Sequence, residues 1–575
     1  MRLPFLQEIQ TSRDMIQEFR GYNHNEVIKE NEFYYMHNMS SSRYPVLSPR
    51  CKRGIGDAIT KPNGIFYKEC LYWVDGVSFY GNDGVNGETM LRGTVQDSPK
   101  TFVSMGALVL IWPDKKFYNT VTHLFGDLEK TWQAEQANIS YTLVNWDPET
   151  KTVTEFADEY IVSDTAPAEP EDSDIWLDLS TVPNTFKKWS ASSKMWIPIA
   201  SSYVKIEANG IGVGFSRGDS VDISGSTNEY FNNTFVLVDV AENYIVVVGL
   251  IEKASSQNGG LIVRRSVPDM DFITECDNRL WGCSSANHEI YACKLGDPFN
   301  WNCFEGISTD SYSATIGSDG DFTGAATYMG YVFFFKEHCV HKIFGNKPSN
   351  FQITSSALRG VQKGSEKSLA IVNETLYYKS QNGIVAFDGS MPANVSDALG
   401  YEKYCDAVAA AFGDKYYVSM KDELGNWHMF VYDEMRRMWH REDNTHAMDF
   451  ANTGDNLYFV NAADNKLYTV KGNNETVFEW FAETGDLAQS MPDNKYVSKI
   501  ILRMELSSNS QVSIALRYDS DCEWQQVFMT CTPKKQSFTL PIIPHRCDRF
   551  NIRFAGKGDS KIFSISKVIE QGSEL

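Results

Sequence analysis

The apolar positions of this chain fall in short runs separated by turn residues. The clearest stretch is CDNRLWGCSSANHEIYACKLGDPFNWNCFEG, residues 276–306. An apolar run (Leu280 to Cys283) leads through a polar turn (Ser284 to His288) into a second run (Ile290 to Cys293). A Gly296-Asp297-Pro298 corner and Trp301 follow. Two such runs joined by a turn and ending in a sharp exit predict a β-hairpin.

The pattern recurs downstream. Paired apolar starts stand at Leu280-Trp281, Val332-Phe333, Leu376-Tyr377, Tyr416-Tyr417 and Leu457-Tyr458. After a wider first gap their spacing is roughly forty to forty-five residues, the size of one four-stranded propeller blade. Each has a partner run soon after: Ile290-Tyr291, Val340 to Ile343, Ile384 to Phe387, Met429 to Tyr432, and Leu467-Tyr468. Two earlier units show the same form. GIFYKECLYWVDGVSFYGN carries Asp75-Gly76 between apolar runs, and KTFVSMGALVLIWPDKKFYNTVT carries Pro113-Asp114. A blade leaves apolar faces that only neighbouring blades can cover, so the units predict an all-β, six- or seven-bladed β-propeller. An N-terminal strand could complete the last blade.

The pattern divides the chain into four. Residues 1–125 hold the lead-in and the first hairpins, with residues 1–20 either a short amphipathic helix or an extended segment. Residues 126–262 alternate apolar and polar positions and predict an inserted β-domain, with the acidic loop TAPAEPEDSD at a solvated tip. Residues 263–475 hold the main blades, and 476–575 predict a C-terminal β-sandwich.

Composition narrows the function classes. A net charge of -21 argues against a sequence-independent grip on nucleic acid, which needs clustered Lys and Arg. It is compatible with passage of DNA through an acidic channel that repels the phosphate backbone. The eleven cysteines are scattered. Cys276, Cys283, Cys293 and Cys303 lack the close Cys-x-x-Cys pairs of zinc sites and read as small apolar strand residues. No window has the pattern of a signal peptide or a membrane span.

Chemistry is sparse. No phosphate-cradling Gly-Lys-Ser/Thr loop, Gly-x-Ser-x-Gly elbow or His-Glu-x-x-His is present. His338 and His341, three apart on an expected strand, would face opposite ways. Asp297, Asp310, Asp319, Asp321 and Asp388 lie near turns, where aspartates cap their own backbone, and GSDGDF (317–322) lacks the ligands of a calcium loop. Arg50 and Arg53 read as arginines that pack their stems and pair with carboxylates. Trp301, Trp427 and Trp439 could serve as sugar platforms or pack between blades. The expected catalytic, cofactor-binding and metal-ligating sets are therefore all empty.

NEFYYMHNMSSSRYPVLSPR, two early hairpins, an insertion, and then LWGCSSANHEIYACKLGDPFNW together resemble the propeller-bearing tail hub or nozzle proteins of tailed bacteriophages, which stabilise packaged DNA. The positions carrying the resemblance are Asn38, Tyr44, Pro45 and Arg50 before the first blade, and Gly296, Asp297, Pro298 and Trp301 at a blade edge. It implies a structural, non-enzymatic virion protein made in the host bacterial cytoplasm, with no cofactor. Its expected partners are further copies of itself in a six-fold ring, the portal or adaptor, fibre or spike proteins, and DNA in transit, with no direct membrane insertion. A receptor- or carbohydrate-binding tail protein and a glycoside hydrolase are the other two classes compatible with the residues.

Overall fold

The computed structural model describes residues 11–82, 88–134, 136, 138–156, 159–199, 201–489, 491, 494–519, 521 and 523–571. Among them the chain is all-β, with four single-turn 3₁₀ segments and no α-helix. Among the described residues no helix is long and apolar enough to cross a membrane.

Seven small sheets share one plan, in which four antiparallel strands pair in order. Sheet I joins Pro62–Lys68, Cys70–Asp75, Ser78–Asn82 and Thr89–Thr94. Sheet II joins Thr101–Met105, Leu108–Trp112, Lys116–Asn119 and Phe125–Asp127. Sheet III joins Phe272–Cys276, Arg279–Ser284, Glu289–Ala292 and Tyr312–Thr315. Sheet IV joins Phe322–Tyr328, Tyr331–Lys336, Cys339–Phe344 and Gln352–Ser356. Sheet V joins Ala370–Val372, Thr375–Ser380, Gly383–Phe387 and Ala393–Asn394. Sheet VI joins Tyr404–Phe412, Lys415–Asp422, Trp427–Asp433 and Met438–Arg441. Sheet VII joins Ala447–Asn452, Leu457–Asn461 and Lys466–Thr469, and takes its fourth strand, Gly54–Ala58, from far upstream.

The periodic apolar pairs of the sequence are the second strands of sheets III to VII, and their partner runs are the third strands. The reason is burial on both faces. Arg279–Ser284 is buried at all six positions, and Thr375–Ser380 at five of six. A strand covered on both sides reads as a continuous apolar run rather than an alternation. Fourth strands such as Gln352–Ser356 are mostly exposed and leave little trace in the sequence.

The chain forms two compact units. The first comprises Met1–Thr101, Ser318–Lys342 and Ile353–Leu575. Within it, apolar side chains join sheet I to VII (Ile65, Leu71, Ala451, Val460), VII to VI (Leu457, Phe412, Tyr417), VI to V (Tyr416, Tyr377, Ile384) and V to IV (Tyr378, Phe387, Phe333, Phe335). This unit also holds two five-stranded sheets sharing one core, in which Val497, Ile500, Leu502 and Met504 of one meet Val512, Ile514, Ile552 and Phe554 of the other. Thr11–Ile16 pairs with Ser560–Gln571 at the edge of the first, and Phe33–His37 with Glu479–Thr484 at the edge of the second. The segment read as a helix or an extended lead-in is thus an edge strand over Thr11–Ile16, while residues 1–10 lie outside the described residues. Its alternating half-buried pattern reflects one covered face.

The second unit comprises Phe102–Gly317 and Ile343–Gln352. Sheets II and III share a core of Leu110, Trp112, Phe117, Met270, Leu280 and Trp301. A nine-stranded sheet assembled from strands between Lys130 and Arg265 surrounds a separate core that includes Tyr141, Val204, Phe231 and Val247. A further four-stranded sheet, Ile161–Pro198, has the acidic loop between its first two strands.

Sheet VII requires glycine at its seam. A Cβ on Gly472 would stand 2.1 Å from the backbone nitrogen of Gly54, at the start of the closing strand, and Gly472 N–H donates to Lys52 at 2.8 Å. Gly472→Ala is expected to push that strand off its partner and cost about 1–3 kcal/mol, the range for overpacking a close contact. Amide exchange in Gly54–Ala58 would rise if this is right, and unchanged exchange would contradict it.

Candidate functional site: an arginine clamp, an anchored corner and a pocket

The residues of the upstream motif converge in the first unit. Asn38, buried and in the left-handed region (φ 55°), donates from its side-chain amide to Glu479 O at 2.7 Å and from its backbone N–H to Glu442 O. Asn tolerates this conformation because its short polar side chain bonds locally. Its Oδ1 accepts from Arg50 Nε at 2.7 Å. Arg50 then forks onto Glu475, with Nη1 and Nη2 each 2.8 Å from a carboxylate oxygen, and lies 4.2 Å from the Phe478 ring centroid. Such a planar bidentate pair needs arginine; lysine could not reproduce it.

Arg53 completes the clamp. Its Nη2 donates to Glu442 at 2.7 Å, and its Nη1 donates to Thr445 at 2.9 Å and lies 2.8 Å from Asp443. Burial opposes the Arg53 charge, but Asp443 and Glu442 more than offset it and raise its pKa. Burial likewise pushes Asp443 up, yet Arg53 and Arg50 hold its carboxyl well below the ordinary range. Tyr44 and Pro45 meet at a cis peptide, and the Tyr44 hydroxyl donates to Glu18 at 2.5 Å. Asn38 and Arg50 thus tie the lead-in segment to Glu442 and Glu475, which follow sheets VI and VII, and to the strand Glu479–Thr484, while Tyr44 braces the lead-in against its own Glu18.

The second motif group lies in the other unit and has a similar role. Gly296 adopts φ 76°, Asp297 accepts from the Phe299 N–H at 3.0 Å, and Trp301 donates to Pro298 O at 2.9 Å. The corner presents Asn300, wholly buried, whose amide donates to both Asp297 (2.6 Å) and Asp219 (3.0 Å) and whose Oδ1 accepts from Ser220 N–H at 2.8 Å. Arg265 pairs with the other oxygen of Asp219 at 2.5 Å and stacks over Phe299. Asp219, Ser220 and Arg265 belong to the region of the nine-stranded sheet, so the Gly-Asp-Pro corner is where that sheet is fastened to sheet III. The corner is a local turn pattern, whereas Asp219 and Arg265 lie far from it in the chain.

The other candidates separate. Trp301 and Trp439 are buried, with Trp439 Nε1 donating to Val395 O at 2.7 Å, so neither offers a ring to a sugar. His338 lies in a turn and only His341 is on a strand, where serine hydroxyls of Ser318 and Ser355 sit 3.0 and 2.8 Å from its two nitrogens. Asp388 caps Ser390, Asp310 caps Gly306 and Ile307, and Asp321 pairs with Lys363 at the surface. Cys276 and Cys283 are strand residues, whereas Cys293 and Cys303 are buried in the loop that follows the third strand of sheet III.

Trp427 behaves differently. It lies face to face with His446, ring centroids 3.5 Å apart at 9°. Both line a cavity of about 360 Å³ in the first unit, with Asn63, Asp406, Met448 and Asp449. Lys367 reaches Asp449 at 3.0 Å and Lys421 reaches Asp406 at 3.3 Å, so both acids in the wall are paired. Burial, aided by Lys421, lowers the pKa of His446, so the stacked imidazole is neutral near pH 7. Chemically this is a flat aromatic wall with hydrogen-bonding groups beside it, not an acid–base pair.

No family model matches the chain, and no curated protein matches it. Among solved structures, Hsv2 of Kluyvelomyces marxianus aligns at 9% identity over 59% of this chain and 95% of that one, with a TM-score of 0.23. Raptor of Chaetomium thermophilum aligns at 9% identity over 74% of this chain and 29% of its own, with a TM-score of 0.28. An exo-beta-1,3-galactanase of Phanerochaete chrysosporium aligns at 9% identity over 51% and 94%, with a TM-score of 0.19. At these scores the likenesses assign neither fold nor function, and the architecture rests on the strand pairing of the chain itself.

Proposed function

We propose that this chain is a structural protein of a bacteriophage tail, a nozzle or hub subunit built on a six- or seven-bladed propeller with an inserted β-domain and a terminal sandwich. On this reading the small four-stranded sheets are blades, and several copies form a ring on the particle axis. The ring extends the DNA channel below the portal, retains packaged DNA and lets it pass at ejection. The observation that carries the reading is the joint use of the upstream motif: Asn38 and Arg50 lock the lead-in segment to Glu475 in the segment that follows the last blade strand, and Gly54–Ala58 completes sheet VII. A clamp of this kind gives rigidity and offers no chemistry, as a load-bearing conduit requires. The net charge of -21 adds a second support, since an acidic lumen would not hold the phosphate backbone.

The test is imaging of the purified chain and of the particle that carries it. Closed rings in solution, and density for this chain around the tail axis, are the expected results. A monomer in solution together with peripheral density at fibre tips would overturn the proposal. One observation favours a second reading, a carbohydrate-binding tail protein: the Trp427–His446 wall of the 360 Å³ cavity. Glycan-array binding abolished by Trp427→Ala would select it.

A further inference from the structure

We propose that Cys303, Glu305 and Asp310 form a binding site for a divalent transition-metal cation of the zinc class, on the loop between the third and fourth strands of sheet III. One donor atom from each residue lies within 4.8 Å of the other two. Cys303 Sγ and Glu305 Oε2 are 3.6 Å apart. Zinc–sulfur and zinc–oxygen bonds of about 2.3 and 2.0 Å meeting at a tetrahedral angle place their ligand atoms roughly 3.5 Å apart. That pair therefore already stands at ligand spacing, and Glu305, which is exposed, is free to adjust.

Asp310 supplies the independent observation. It is only 4% exposed. Its Oδ2 accepts the backbone N–H groups of Gly306 (2.6 Å) and Ile307 (3.1 Å), which orient the carboxylate, but its Oδ1 is buried with no hydrogen-bond partner among the described residues. A buried carboxylate oxygen left without a donor is costly. The nearby Arg279 does not relieve it, because its guanidinium donates to the carbonyls of Cys293, Asp310 and Ser308. Those three bonds hold the loop in shape around the acid, and the Arg279 charge acts on the carboxylate without a hydrogen bond to Oδ1. A cation would supply the missing partner.

The donor set selects the metal. Two carboxylates alone would suit magnesium or calcium, which take oxygen ligands; a buried sulfur shifts the preference to softer ions. Three protein ligands leave a fourth position open to water. The loop continues from the corner that fastens the nine-stranded sheet, and Asn302 O accepts from Ser220 Oγ at 2.7 Å. A bound cation would thus stiffen the segment at that attachment.

Cobalt(II), which gives a charge-transfer band when bound to thiolate, is the probe. The full chain is used with Cys51 and Cys531, the exposed thiols among the described residues, and Cys522 changed to serine. One cobalt per chain with a thiolate band is expected, lost in Cys303→Ser and retained in Cys283→Ser. Glu305→Gln, at an exposed position that the fold does not depend on, and Asp310→Asn are each expected to weaken binding at least tenfold. Absence of the band, its persistence in Cys303→Ser, or unchanged affinity in Glu305→Gln and Asp310→Asn would each overturn the proposal.

Discussion

Arg53→Met is expected to destabilise the protein by about 3–5 kcal/mol, the range for removing one partner of a buried ion pair. The substitution keeps most of the stem but leaves Glu442 buried without its cation, and Asp443 with only Arg50 at 3.9 Å. Arg53 and Glu442 expose only 5% and 4% of their side chains, so water cannot replace the lost charge. Arg43→Ala is the matched control. Arg43 pairs with Asp559, but the two side chains are 38% and 43% exposed, and such surface pairs contribute at most about 1 kcal/mol. Thermal and urea unfolding of the two variants should differ severalfold in their shifts, and equal shifts would show that the clamp is not a stabilising centre. The acids add a pH signature. Folding holds Asp443 and Glu475 below their ordinary pKa values, so their contribution is complete above the unfolded-state values near pH 4 and is lost as pH falls further.

Stability is expected to decline earlier than that, from about pH 6.5 downward, because of two buried histidines. Burial, aided by Lys336, lowers His341 to about 4. His440 is pushed well below its ordinary value by burial and by Lys415, and both its ring nitrogens lack a hydrogen-bond partner among the described residues. It faces a small cavity lined by Met36, Met39, Tyr44 and Leu47, where a charged imidazole has no compensation. The unfolded chain binds a proton on each histidine below about pH 6.5 while the folded chain binds none. Each therefore removes about 1.4 kcal/mol of stability per pH unit, and the pair roughly 4 kcal/mol between pH 7 and pH 5. Unfolding free energy measured across this interval checks the expectation, and His440→Phe should lower the slope by about 1.4 kcal/mol per pH unit. A flat profile from pH 7 to pH 5 would refute it.

What could be read in the sequence follows from where the information lies. Strands buried on both faces, such as Tyr331–Lys336 and Thr375–Ser380, write their position as apolar runs, so the repeat and its spacing were visible. Gly54–Ala58 has no such run; GIGDA is a strand only because Lys466–Thr469 offers it an edge. Thr11–Ile16 is ambiguous for the related reason that one face is polar and one half-covered. Arg50 and Arg53 stood out as charges, but their partners Glu475 and Glu442 lie 425 and 389 residues away, a pairing that no local pattern encodes. The Gly-Asp-Pro corner was legible as a turn because its geometry is local, while Asp219 and Arg265, which give it a purpose, were not. Cys303, Glu305 and Asp310 were close enough in sequence to be noticed together. A set with one sulfur and two carboxylates carries none of the paired-cysteine spacing that marks a zinc site in a sequence.

The closing of sheet VII by an upstream strand constrains how the chain can be made. As the polypeptide leaves the ribosome, Gly54–Ala58 emerges more than 400 residues before Lys466–Thr469, and Thr11–Ile16 waits longer still for Ser560–Gln571. Until then the apolar flanks of the early segments have no native cover, and contacts of such sequence separation form slowly. Synthesis therefore passes through partly folded chains in which these strands still lack their partners. The fold of the first unit is complete only once Ser560–Gln571 has been made and has paired with Thr11–Ile16.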